Sequence, residues 1–240
     1  MTALAAHEKA EIAAMCKRLL LERGFSVDQT SDFDFVMSLV KDIGKPYLTR
    51  ELSPAYNDFK EHDSFWLLIK YIEPGGKPGT NPEIIGIIGC RCDDLRSQAV
   101  MPYMTRQLRR LYGIDGNEAI DPDHYPPVLD RMSGKIVYIG DFYVKETFRG
   151  LKYLPKRAVL FLVYTYASME WSFDWAYAMI RKEHADIGFI TTYCGSVSYP
   201  EGRFWIKAPD ERDDSEYFVA MDSADYRYLV KLFIKKPEAF

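Results

Sequence analysis

Apolar and polar residues alternate in short blocks along this chain, and the spacing inside each block predicts its element. Between His7 and Arg23, Ile12, Met15, Leu19 and Leu20 fall near helical spacing, and Gly24 follows as a helix stop. A second helix is predicted from Asp32 to Ile43. Ser31 or Thr30 would cap it, and Phe35, Val36, Leu39 and Val40 form its apolar stripe. Residues 45–62 are mixed and read as a loop with a short helix. Phe65–Ile72 and Glu83–Arg91 are apolar runs of strand length, joined by the Pro- and Gly-rich stretch 73–82, so they read as an antiparallel hairpin. Gly86 and Gly89 leave the second strand without bulk at two points, which predicts a close approach there.

Residues 93–133 read as an insertion, either a lid or a decoration, with a helix from Met101 to Tyr112. Met104, Leu108 and Leu111 lie on one side of it and Arg106, Arg109 and Arg110 on the other. The next block is the one the chain is organised around. Ile136, Val137, Tyr138 and Ile139 are apolar on both faces, which predicts a central buried strand. Asp141 interrupts the run, and Phe142, Tyr143 and Val144 resume it. Arg149-Gly150 then opens a loop, and Pro155 stands where a helix would begin. That helix, Lys156 to about Trp171, is apolar almost all round and must be covered on most sides. Beyond it come a strand at Asp174–Ile180, a short helix within 181–189, a strand around Phe204–Ile206, and two β segments near 216–221 and 226–234. No repeat, low-complexity tract or linker stands out. The pattern predicts an α/β (α+β) chain of one domain, residues 1–240, with N-terminal helices (1–62), a core (63–210) and the insertion (93–133).

Composition narrows the function classes. Of 240 residues 48% are hydrophobic and 15% aromatic, enough for a sizeable core. The net charge is −4 and there is no basic tail or arginine stripe, which argues against nucleic acid as a partner. The first residues lack the basic start and apolar core of a signal peptide, and the longest apolar run, Ala158 to Tyr166, is too short for a membrane span. A cytoplasmic protein is therefore expected. Cys16, Cys90, Cys92 and Cys194 read as structural thiols, and no Cys/His pair stands at metal-ligand spacing, so no metal is expected.

The strand, basic loop and buried helix carry the candidate chemistry. A helix start offers unpaired N–H groups and partial positive charge, and Lys152, Lys156 and Arg157 add full charges. The spot reads as a phosphate or pyrophosphate site, or else as a solvated helix start.

The order of elements, together with Ile139-Gly-Asp-Phe-Tyr-Val-Lys-Glu-Thr-Phe-Arg-Gly150, resembles the GNAT superfamily of N-acetyltransferases over about residues 63–210. The resemblance implies a mixed, mostly antiparallel central sheet flanked by helices. It implies an acetyl-CoA or longer acyl-CoA donor, with the pantetheine arm pairing to the backbone of Phe142, Tyr143 and Val144 like an added strand. The pyrophosphate would lie against Arg149, Gly150, Leu151, Lys152, Tyr153, Leu154 and Lys156. The family loop reads Gln/Arg-x-x-Gly-x-Gly/Ala, and Lys152 and Leu154 stand here where small residues are expected. Acyl-homoserine lactone synthases and long-chain N-acyl amino acid synthases are similar in fold and can draw on acyl carrier protein. That leaves three readings: an N-acyltransferase acting on the amine of a small molecule or peptide, a fatty N-acyl synthase using acyl carrier protein, and a non-catalytic ligand-binding or interaction protein.

Direct transfer needs a base for the amine and an acid for the leaving thiolate. Asp141 is the candidate base, since desolvation in an apolar strand raises a carboxyl pKa; the alternative is a structural aspartate bonded to backbone N–H groups or an arginine. Glu146 is a second candidate base, or an ordinary strand-end glutamate. Tyr193 stands where the family often places its acid, or is a plain core aromatic. Cys194 reads as structural.

Overall fold

A computed structural model describes residues 4–58, 62–73, 81–113, 121, 125–149, 154–200, 212 and 215–240. Seven strands form one sheet in the order β1-β2-β3-β4-β5-β7-β6. They are β1 (Phe25–Thr30), β2 (Ser64–Tyr71), β3 (Glu83–Asp94), β4 (Lys135–Val144), β5 (Trp175–Ile180), β6 (Val197–Tyr199) and β7 (Tyr217–Asp222). The helices are α1 (Ala6–Glu22), α2 (Phe33–Asp42), α3 (Val100–Tyr112), α4 (Lys156–Glu170), α5 (Lys182–Asp186), α6 (Phe189–Tyr193) and α7 (Ser223–Lys235). The sheet is mixed: β1–β2, β2–β3, β5–β7 and β6–β7 are antiparallel, and β4–β5 is parallel. The expected mixed, mostly antiparallel sheet with flanking helices is thus observed, with β4 fourth of seven. The chain forms two compact units, one of residues 1–91, 139–170 and 227–240, the other of 92–138 and 171–226.

In the first unit α1 packs along α4, burying Ile12, Met15, Cys16 and Leu20. Lys9 Nζ donates to the carbonyl of Ser168 at 2.6 Å, near the end of α4, where orphan carbonyls need partners. The run Ala158–Thr165 is wholly buried, as its composition requires. Phe161 meets Phe233 and Phe240 edge-on at 5.0 and 5.3 Å. The β2–β3 hairpin forms as predicted, with Trp66 opposite Gly89 and Ile69 opposite Gly86. A Cβ at Gly86 would stand 2.5 Å from the Tyr143 carbonyl oxygen. The close approach that the glycine forecast is therefore the β4 backbone.

Local sequence defines both ends of α2. Asp32, rather than Ser31 or Thr30, caps it, its side chain accepting from Phe35 N at 2.9 Å. At the other end Gly44 has φ +73°, Gly44 N donates to Lys41 O, and Lys45 N donates to Val40 O. This is a Schellman motif, in which glycine takes the left-handed position after the cap and sets the direction of the chain that leaves the helix.

In the second unit the parallel β4–β5 ladder pairs Ile136 with Trp175, Val137 with Ala176 and Tyr138 with Tyr177. β7 lies on the other side of β5 in full register from Trp175–Asp222 to Ile180–Tyr217. The expected helix over 101–112 is α3, with Met104, Leu108 and Leu111 buried. Arg212 ties the end of α3 to the chain before β7, donating to Tyr112 Oη at 2.9 Å and to Glu216 Oε1 at 3.1 Å.

Three further expectations need correction. Residues 226–234 are not a β segment but most of α7: Tyr226, Val230 and Phe233 are buried at helical spacing, and Asp222 starts the helix by accepting from Ala224 N and Asp225 N at 2.8 and 2.7 Å. Phe25–Thr30 is a strand where none was expected, held against β2. The described part of 45–62 contains turns and no helix. The strand expected around Phe204–Ile206 lies outside the described residues. No described helix is long and apolar enough to cross a membrane.

Candidate active site on the fourth strand

The site is built on the second half of β4, within the first unit. Asp141 has φ +55°, a left-handed residue inside a strand, as in a β-bulge. Aspartate tolerates this conformation better than most side chains. Its side chain is 0% exposed. Lys45 Nζ stands 2.7 Å from Oδ1, and the Lys45 side chain is itself only 9% exposed. Thr49 N donates to the carboxylate at 3.1 and 3.2 Å, and Thr49 Oγ1 lies 3.3 Å from Oδ2. A buried charge demands such partners. Both come from the segment that the Schellman motif delivers.

Tyr143 makes a second connection to the same segment. Its hydroxyl donates to Gly44 O at 2.8 Å. Its ring lies 4.8 Å from the Arg149 guanidinium and 6.0 Å from Lys45 Nζ, within cation–π range. Arg149 Nε donates to Val144 O at 3.0 Å. Among the described residues the two Nη groups of Arg149 have no partner, and the side chain is exposed. Lys45 Nζ also donates to Tyr47 O and stands 5.5 Å from the Tyr47 ring. Lys145 N donates to Ile85 O, and Lys145 Nζ pairs with Glu83 at 2.6 Å, fixing β4 to β3 below the turn.

The structure thus brings together Asp141, Tyr143, Val144 and Arg149. Phe142 is half-buried on the same strand, and Leu154 is half-buried two residues before α4. Lys156 opens α4 on the surface. Glu146 is exposed in the 3₁₀ turn Glu146–Phe148, where its carbonyl accepts from Arg149 N at 3.0 Å. Gly150, Leu151, Lys152 and Tyr153 lie outside the described residues. Tyr193 belongs to the second unit, where it ends α6, is 4% exposed and packs on Phe189 with ring centroids 5.3 Å apart. Cys194 beside it has φ +52° and its thiol contacts Thr191 O. The three residues that sequence reasoning missed are Gly44, Lys45 and Thr49. Ile43-Gly44-Lys45 is readable as a helix stop, but nothing local links Thr49 to a residue 92 positions on.

Among the described residues no group of His, Cys, Asp and Glu is arranged to hold a metal. No family model matches the sequence, and no curated protein matches it. Solved structures similar to the chain include NAA60 of Arabidopsis thaliana in complex with acetyl-CoA, at 12% identity over 82% of this chain and 98% of that one, with a TM-score of 0.43. FeeM, an N-acyl amino acid synthase from uncultured soil microbes, is 12% identical over 95% and 94%, with a TM-score of 0.39. A chimera of the spermidine N-acetyltransferase SpeG from Vibrio cholerae and hSSAT is 10% identical over 85% and 99%, with a TM-score of 0.45.

Proposed function

We propose that this chain is an N-acyltransferase that moves an acyl group from a coenzyme A thioester to the amine of a small molecule or peptide by direct transfer. The observation that carries this reading is the succession along the chain of β4, the Arg149 turn and α4. A central strand holds a left-handed carboxylate residue at Asp141, a turn follows with a guanidinium held in place on Tyr143, and a buried helix opens with a lysine. In this reading the backbone of Phe142, Tyr143 and Val144 pairs with the pantetheine arm. Arg149, Gly150, Leu151, Lys152, Tyr153, Leu154 and Lys156 take the pyrophosphate, through backbone N–H groups and positive charge.

Asp141 is the proposed base. Its Oδ2 contacts, at 3.2 and 3.3 Å, are longer than the 2.7 Å ion pair at Oδ1, so Oδ2 is the oxygen that can take an amine proton while Thr49 N stays on Oδ1 at 3.1 Å. The neutral amine then attacks the thioester carbonyl, the C–S bond breaks, and the thiolate takes a proton from an acid, for which Tyr193 is the proposed donor. Glu146 is the reserve base.

Calorimetric titration with acetyl-CoA and then with a long-chain acyl-CoA tests the donor. Micromolar binding of the short donor supports an acetyltransferase. Binding of the long donor alone redirects the reading to a fatty N-acyl synthase. Binding of neither rejects coenzyme A as the donor, and points to a carrier-protein donor or a non-catalytic relative.

A further inference from the structure

Tyr143 touches two parts of the first unit. Through its ring it holds Arg149 at the turn after β4; through its hydroxyl it holds Gly44 O, the carbonyl at the Schellman turn of α2. The next residue, Lys45, carries the ion pair to Asp141, and Thr49 N closes the same carboxylate. The contacts run without a gap from the exposed guanidinium to the buried carboxylate. We propose that Tyr143 is a positioning residue that couples the state of Arg149 to the 44–49 segment, so that an anion held by Arg149 tightens the segment over Asp141. The proposal rests on the coenzyme A donor reading, and deepens it by linking the phosphate end of the site to the segment over Asp141.

The sign of the coupling comes from which donors are in use. Arg149 Nε is already bonded to Val144 O, and the ring contact leaves the edge of the guanidinium free. A phosphate can take the two Nη groups without displacing either contact. It then lowers the freedom of Arg149, holds Tyr143 in place, and through Gly44 restrains Lys45 and Thr49. Coupling of this kind is reciprocal, so a loosened segment weakens the anion in turn.

The test reads the Thr49 amide, which is protected by Asp141, by hydrogen exchange resolved to single residues. In ligand-free protein, Arg149→Gln and Tyr143→Phe are each expected to speed exchange at Thr49 by about fivefold, the worth of one ordinary hydrogen bond. Exchange at Ile69 in the core of β2 should not move. The double variant should be no faster than the faster single, because both changes break one link. Unchanged exchange at Thr49 in both single variants, or effects that multiply in the double, overturns the coupling. In wild type, coenzyme A should slow exchange at Thr49, and in Tyr143→Phe it should not; equal slowing in both also overturns it. Failure of wild type to bind coenzyme A refutes the donor, whereas the ligand-free comparison decides the coupling by itself.

Discussion

A carboxylate without exposed surface must be satisfied by the protein around it, and at Asp141 two residues of one short segment do this. Removing one partner of such a pair leaves an uncompensated buried charge. Lys45→Met is therefore expected to lower unfolding stability by about 3–5 kcal/mol, read from urea unfolding. The same variant separates the two roles open to Asp141. If Asp141 is the base, Asp141→Asn lowers turnover by ~10²-fold or more, well beyond the effect of Lys45→Met measured where both variants are folded. Equal losses in the two variants would reduce Asp141 to a clamp. Cys16 supplies a pH dependence. It is fully buried in α1, and burial pushes its thiol up to about 12 from an ordinary 9. The folded state then keeps a proton that the unfolded state releases, so stability is fully present below about pH 9 and falls as pH rises toward 12. Between pH 8 and 10 the loss is about 1 kcal/mol. Comparing urea midpoints of wild type and Cys16→Ala at the two pH values should show that part of the loss vanish with the thiol.

At the scale of elements the decisive residues are small. Gly86→Ala would set a methyl group against the Tyr143 carbonyl, and backbone cannot step aside as a flexible side chain can. It is expected to lower the midpoint of thermal unfolding, whereas Gly113→Ala, with nothing near its Cβ position, is strained only by its φ of +64°. The elements themselves are unevenly legible in the chain. α1, α2, α4, the β2–β3 hairpin and β4 each carry a period or an apolar run that one chemistry explains. α7 imitates a strand because Tyr226 to Ile234 is dense in aromatic and β-branched residues, and the signal that corrects it, Asp222 capping ahead of buried positions at 226, 230 and 233, lies partly outside that window. β1 escapes notice because a six-residue edge strand between two helices has little pattern of its own; its partner, β2, begins 34 residues after it ends (64 against 30). At the site, Asp141 stands out as a break in an apolar run, and Arg149 as the start of the loop that follows it. Lys45 and Thr49 do not, since their importance comes only from distant pairing.

For the molecule as a whole, charge makes a separate prediction. The chain is acidic, with a net charge of −4, and the proposed donor carries several negative charges of its own. Binding should nonetheless be governed by the cations of the proposed site, Arg149 and Lys156, because charges farther away than about 10 Å are screened at 0.1 M salt. Affinity for coenzyme A is therefore expected to fall as salt rises from 0.1 to about 0.5 M by calorimetry; an affinity that rose with salt would mean that repulsion from the whole protein governs encounter.

The covering of α4 has a consequence for synthesis. Phe161 is sealed in part by Phe233 and Phe240, and Arg157 Nη1 holds the Phe240 carbonyl at 2.6 Å. A ribosome adding about 5–20 residues per second needs roughly 4–16 s to travel from Phe161 to Phe240. Throughout that interval this apolar helix of the nascent chain lacks its final aromatic cover. A chain stalled before Phe233 is therefore expected to aggregate more readily than the full-length chain, as sedimentation of the two would show.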